Sequence, residues 1–126
     1  MDRPRNTNAS PAVFGIAYAA LALLSGVPEA ADTVHSLRAR LDEVRERAYA
    51  LWDHPVPHER IEERLTLKTR SFDLMRAATT AAIVAGGGRS LALGSRAQRL
   101  AREAMFLLVQ GQTAEVRRAH LSHLAG

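Results

Sequence analysis

The apolar residues Val34, Leu37, Leu41, Val44, Ala48 and Leu51 follow one another at alternating steps of three and four. That spacing places them on one face of an α-helix. It cannot line one face of a strand, whose side chains alternate every two residues. The opposite face carries Arg38, Arg40, Asp42, Glu43, Arg45, Glu46 and Arg47. Glu43 precedes Arg47 by four residues, the favourable order for a helical ion pair. A helix with one dry face needs another element to cover it, so the chain is expected to be a packing of helices.

The remaining helices are marked by their ends. Ser10-Pro11 is a cap followed by proline at the first helical position, and it opens a helix to about Leu24 that stops at Ser25-Gly26. The striped helix starts near Val27-Pro28-Glu29 and runs to Trp52. Asp53-His54-Pro55-Val56-Pro57 then forms a turn, since two prolines cannot both sit inside a helix. A third helix is expected from about His58 to Ala85, with Ile61, Leu65, Phe72, Met75 and Ile83 roughly on one side. Gly86-Gly87-Gly88 ends it. Ser95 caps a fourth, whose stripe is Ala97, Leu100, Ala101, Ala104, Leu107 and Leu108. Gly111 breaks the chain again, and Thr113 caps a short last helix with Glu115 in its first turn. No stretch alternates every two residues and no internal repeat is evident. The expectation is an all-α, antiparallel up-down bundle of four to five helices over residues 10–126, preceded by a disordered tail over 1–9.

Composition closes several routes to function. A chain of 126 residues makes one domain rather than two. Cysteine is absent, which removes disulfides, thiol nucleophiles and Cys-ligated metals together. The longest apolar run, Ala12 to Leu24, is too short for a membrane span. No signal peptide is legible at the start, so a cytoplasmic location is the default expectation. The net charge is +4 and nearly all the positive charge is arginine, Lys68 being the one lysine. Asp42, Glu43 and Glu46 interleave with the arginines of the second helix, so a solvated face is expected there rather than a nucleic-acid surface. Tyr49 and Trp52 read as packing residues. His120 and His123 are three apart on the last helix, a spacing that two ligands of one metal can have. No third ligand is legible nearby, so they are read as surface histidines and no metal is expected. His54 and His58 flank the double-proline turn without a catalytic partner, and no nucleophile motif organises the serines.

The glycine run and the Thr113 cap are each ordinary punctuation, but together they belong to a longer pattern. Gly87-Gly88-Arg89-Ser90-Leu91, then Gln98-Arg99-Leu100-Ala101-Arg102-Glu103-Ala104, then Thr113-Ala114-Glu115-Val116-Arg117-Arg118 resembles, without a gap, the end of an acyl-CoA dehydrogenase. Phe14-Gly15-Ile16-Ala17 is more loosely similar to the opening helix of the same C-terminal domain. The specific part of the resemblance is about a quarter of the chain. It implies a helical bundle that oligomerises and helps hold FAD between itself and a sheet domain. On that resemblance Gly87 and Gly88 match glycines where backbone approaches the adenine half of a neighbouring subunit's FAD. Thr113 and Glu115 match positions facing the flavin's phosphate and ribose. A helix N-terminus beside a pyrophosphate is physically sound.

The departures from the family pattern are specific. Its usual catalytic glutamate falls two residues before the matching threonine, where this chain has Gly111. Val84 stands near a position where the family commonly has a glutamine. Gly26-Val27-Pro28 replaces an arginine–phenylalanine motif that meets the neighbour's flavin. The N-terminal helical domain and the sheet domain have no counterpart here. Some relatives place the base on another helix, which draws attention to Glu29 and Asp32. No residue is assigned a catalytic role. The leading expectation is a C-terminal helical domain of an acyl-CoA dehydrogenase-like flavoprotein, without dehydrogenase activity alone. It would act as a homo-oligomer or with a partner flavoprotein subunit, forming one wall of an FAD and acyl-CoA site. The alternative is a non-enzymatic helical interaction module that has lost the flavin. A basic nucleic-acid binder is a third reading, resting on charge alone.

Overall fold

The computed structural model describes residues 7–53, 60–88 and 95–126. They form a bundle of α1 (Pro11–Leu23), α2 (Ala31–Trp52), α3 (Ile61–Gly86), α4 (Arg96–Gln110) and α5 (Ala114–Ala125), with one 3₁₀ turn at Pro28–Ala30 before α2. No strand occurs among the described residues. The all-α expectation holds. The double-proline turn with His54 and His58, and the stretch from Arg89 to Gly94, lie outside the described residues.

The helix starts follow from their caps. Ser10 Oγ accepts from the Ala12 amide at 3.3 Å and Pro11 occupies the first helical position. Ser95 Oγ accepts from the Gln98 amide at 3.0 Å, and Thr113 Oγ1 from the Val116 amide at 3.3 Å. Each side chain satisfies one of the amides that a helix start leaves without an internal partner. α3 starts differently: Arg60, with φ 59°, precedes it in the left-handed region and pairs with Glu63 at 2.5 Å.

Contacts between the helices set their directions. Phe14 meets Tyr49 edge-on with ring centroids 5.9 Å apart, and Tyr18 donates to Asp42. α2 therefore runs back along α1. Asn8, ahead of α1, accepts from Arg64 Nη1 at 2.7 Å near the start of α3, so α1 and α3 run the same way. α4 returns antiparallel, its end lying against Phe72 in the middle of α3.

The α2 stripe is buried as expected: Leu37, Leu41, Val44, Ala48 and Leu51 all lie in the core, with Val34 at its edge. Leu41 and Val44 are almost wholly covered. Two expectations need correction. Residues 7–9, expected to belong to a disordered tail over 1–9, join the bundle: Thr7 and Ala9 are buried and Asn8 is tied to Arg64, while residues 1–6 lie outside the described residues. The second concerns α3, which is not one-sided. It packs against α1, α2, α4 and α5, and Leu67, Leu74, Ala78, Thr79 and Ala82 are buried together with Phe72 and Met75. Ile61, Leu65 and Ile83 are only partly covered. Two of its buried hydroxyls are satisfied by the helix itself, while that of Thr69 has no hydrogen-bond partner among the described residues. Ser71 Oγ donates to the Lys68 carbonyl at 2.6 Å and Thr79 Oγ1 to the Met75 carbonyl at 3.0 Å. Burial pushes the Lys68 ammonium below the usual lysine value.

Leu41→Ala is expected to cost about 2–5 kcal/mol, since the removed side chain leaves a cavity in a filled core. Urea denaturation measures it, and a loss under about 0.5 kcal/mol would place Leu41 at the surface. A second test concerns the joint between α1 and α2. Partial burial, the hydrogen bond to Asp42 and its charge raise the Tyr18 phenol from 10.0 to about 12, against the opposing pull of Arg45 and Arg38. The folded value lies above the ordinary one. Its contribution to stability is therefore complete below pH 10 and is lost as the pH rises through about 12. In an ultraviolet titration, Asp42→Asn should bring the Tyr18 transition back toward 10. An unchanged transition would mean that burial alone sets it.

Candidate functional site

The most organised cluster of polar side chains lies where α5 meets α3. Asp73, on α3, faces two histidines of α5: His120 Nε2 is 3.4 Å from its Oδ1, and His123 Nε2 contacts its Oδ2. Arg76 adds a longer contact to the same carboxylate at 3.7 Å. His120 is buried, and its ring stacks on Phe72 with centroids 5.8 Å apart and planes 13° from parallel. Its other nitrogen, Nδ1, is 3.5 Å from the Gln112 side-chain nitrogen. If the Gln112 amide donates there, Nε2 carries the imidazole proton and donates to Asp73. Both ring nitrogens are thus engaged. His120 bridges Asp73 and Gln112 through two long contacts.

The reading of both histidines as surface residues is corrected for His120. Its partner Asp73 lies 47 residues earlier on another helix, so no local motif reveals the pair. The three-residue step from His120 to His123 was the legible signal, because it puts both rings on one side of α5. Among the described residues, no three histidine or carboxylate side chains are placed to hold a metal ion. The Asp73 carboxylate lies against Nε2 of each imidazole.

Around this cluster opens a cleft of about 260 Å³. Phe72 and His120 form its floor, and Leu108 and Val109 of α4 face Leu121 and Leu124 of α5 across it. Asp73, Arg76, Gln112 and Arg117 complete its lining. Gly111 explains part of this shape. A Cβ there would come within 2.7 Å of the Phe72 ring and 3.2 Å of the Leu107 carbonyl oxygen. Gly111 is therefore a packing residue in this chain.

The structure does not bring the resemblance-derived residues to one place. Gly87 and Gly88 are exposed at the end of α3, and Gly87 has φ +58°, the left-handed conformation that glycine adopts without strain at a helix C-terminus. A Cβ at either glycine would meet nothing among the described residues. Thr113 and Glu115 lie at the start of α5, just after Gly111, which packs on Phe72 in the middle of α3. From Phe72 to Gly87 is fifteen residues, roughly 22 Å of helix. Glu115 borders a different cavity, with Ile61, Leu65 and Arg118. Glu29 lies in the 3₁₀ turn and Asp32 in the first turn of α2, both exposed. Tyr49 and Trp52 stack on one another at 5.7 Å while remaining 38% and 45% exposed, so they are less buried than packing residues would be.

The outer surface beside the cleft is unusually apolar. Met105, Val109, Leu121 and Leu124 are each 51% exposed or more, and Val84 of α3 is 73% exposed. Contiguous apolar patches beyond a few hundred Å² mark interaction surfaces more often than idle ones.

Gly111→Ala is expected to destabilise the fold by about 1–3 kcal/mol through overpacking against Phe72, because its backbone conformation suits alanine. Thermal denaturation measures this. A change within about 0.5 kcal/mol would show that the ring turns aside freely.

Comparison with known proteins returned nothing: no family model, no curated protein and no solved structure matches this chain.

Proposed function

We propose that this chain is a helical assembly module that binds another protein through the face made by α3, α4 and α5. The observation that carries this reading is the set of exposed apolar side chains lining the cleft, Val109, Leu121 and Leu124, with the exposed Met105 four residues before Val109 on α4, which a chain working alone would leave in water. The sequence resemblance to acyl-CoA dehydrogenase C-terminal domains gives the assembly a purpose. The module would oligomerise, or join a partner flavoprotein subunit, and supply one wall of an FAD and acyl-CoA pocket built mainly by that partner. Gly87 and Gly88 are exposed at the end of α3, with room for a Cβ among the described residues, and Thr113 opens a helix whose N-terminal dipole favours a phosphate. The chain supplies no base at Gly111, so catalysis would belong to the complete assembly.

A second reading, a non-enzymatic interaction module without flavin, is favoured by the packing of Gly111 on Phe72. That contact turns the position of the family's carboxylate into part of the core.

Two measurements on the purified full chain separate these readings. Light scattering after gel filtration reports assembly, and an FAD titration followed by absorbance and fluorescence reports cofactor binding, each with and without a candidate partner flavoprotein. Binding of FAD that weakens on Gly88→Trp or Thr113→Lys supports the flavin reading. Assembly with no flavin affinity in either condition supports the second. A chain that stays monomeric with every partner, and whose Val109→Asp variant behaves like the parent, would defeat the assembly reading itself.

A further inference from the structure

The shape and charge of the apolar face together narrow what can cover it. Along α3, Asp73, Arg76, Ala77, Thr80, Ala81 and Val84 line a shallow groove. From Asp73 to Val84 is eleven residues, about 16 Å or three helical turns. The side chains at 77, 80 and 81 are small, so another backbone can approach closely. The groove meets the cleft at Asp73 and Arg76, which border both. The cleft, about 260 Å³, has room for one or two large apolar side chains. A straight groove of three turns beside a deeper apolar hole suits a helix laid along it, anchored by residues spaced three and four apart.

Charge then selects among helices. Arg76 and Arg117 stand at the cleft, and Asp73, the acidic group beside them, is already engaged by His120, His123 and Arg76. Of the charged side chains lining the cleft, Arg76 and Arg117 are basic and Asp73 alone is acidic. A second copy related by a two-fold axis would bring this same basic surface against itself, and like charges across an interface oppose association. On the assembly reading, we infer that the face takes an acidic amphipathic helix from a different protein. Its large apolar residue enters the cleft between Val109 and Leu121, and its flanking carboxylates pair with Arg76 and Arg117.

The test pans a display library of helical peptides against the folded full chain. The peptides share apolar positions at helical spacing, and their flanking positions vary among Glu, Gln and Lys. Enrichment of Glu-flanked peptides is the expected result. A synthesised Glu-flanked peptide should bind at least ~10-fold more weakly to Arg117→Glu, and more weakly as salt rises from about 0.05 to about 0.5 M. Arg117 takes no part in the Asp73 cluster, so this variant leaves the α3–α5 joint intact. Circular dichroism confirms its helicity, and a Lys-flanked peptide should gain affinity for it. Enrichment of Gln- or Lys-flanked peptides, or affinity unaffected by Arg117→Glu, overturns the acidic-partner inference while leaving the assembly reading in place. So does a homodimer that Val109→Asp dissolves. A monomeric chain that enriches no peptide overturns both.

Discussion

Burial of α3 on nearly every side is the constraint from which the rest of the arrangement follows. α1, α2, α4 and α5 all rest on it, so its side chains decide how near each neighbour can come. Where α3 passes through the centre it uses Ser71, Ala78, Thr79 and Ala82, all buried. Small side chains let the surrounding helices close in, and the two hydroxyls bond to carbonyls of their own helix. The desolvation that an unpaired hydroxyl would suffer is thereby avoided. Phe72 and Met75 then fill the wider spaces toward the later helices. A central helix of uniformly large residues would hold the others too far apart to seal the core.

That arrangement also separates what sequence could reveal from what it could not. α2 is a surface helix with one dry face, and its three-four spacing was read correctly down to single residues. Caps at Ser10, Ser95 and Thr113 were legible because one side chain and one nearby amide make them. α3 defeated the same method. A helix packed by neighbours on most sides, and open along Arg76, Ala77, Thr80 and Val84, has no narrow apolar stripe, and its buried alanines and threonines look like neutral surface. Thr7 and Ala9 were missed for a related reason: the segment they belong to is tied at Asn8 to Arg64, 56 residues later. At the candidate site, half of the cluster was visible as the step from His120 to His123. Asp73 was invisible, because only the crossing of α3 and α5 brings it there. The glycines at 87 and 88 were correctly read as a helix end, and the flavin role drawn from resemblance remains part of the proposal.

Gly111 shows how one position can carry two meanings. Set beside a family pattern, it is a missing carboxylate. Within this fold it is the point where the end of α4 passes so close to Phe72 that no side chain fits unless the ring moves. Phe72 in turn supports His120, which reaches Asp73 and Gln112. Packing and polar network are therefore one unit, and the cleft owes its floor to both.

The attachment of α5 has a further consequence. Unlike the other helices, it rests mainly on one neighbour, α3, through Val116, His120 and the Asp73 contacts. Helices held by one limited contact open at a lower free energy than those buried in the centre. α5 is thus the element that can detach while the four-helix core stays folded, and detachment would remove one whole wall of the cleft. Any occupant touching both α4 and α5 would bind only the attached form. By mass action it would suppress this local opening and slow amide exchange along α5, without adding a contact to the core.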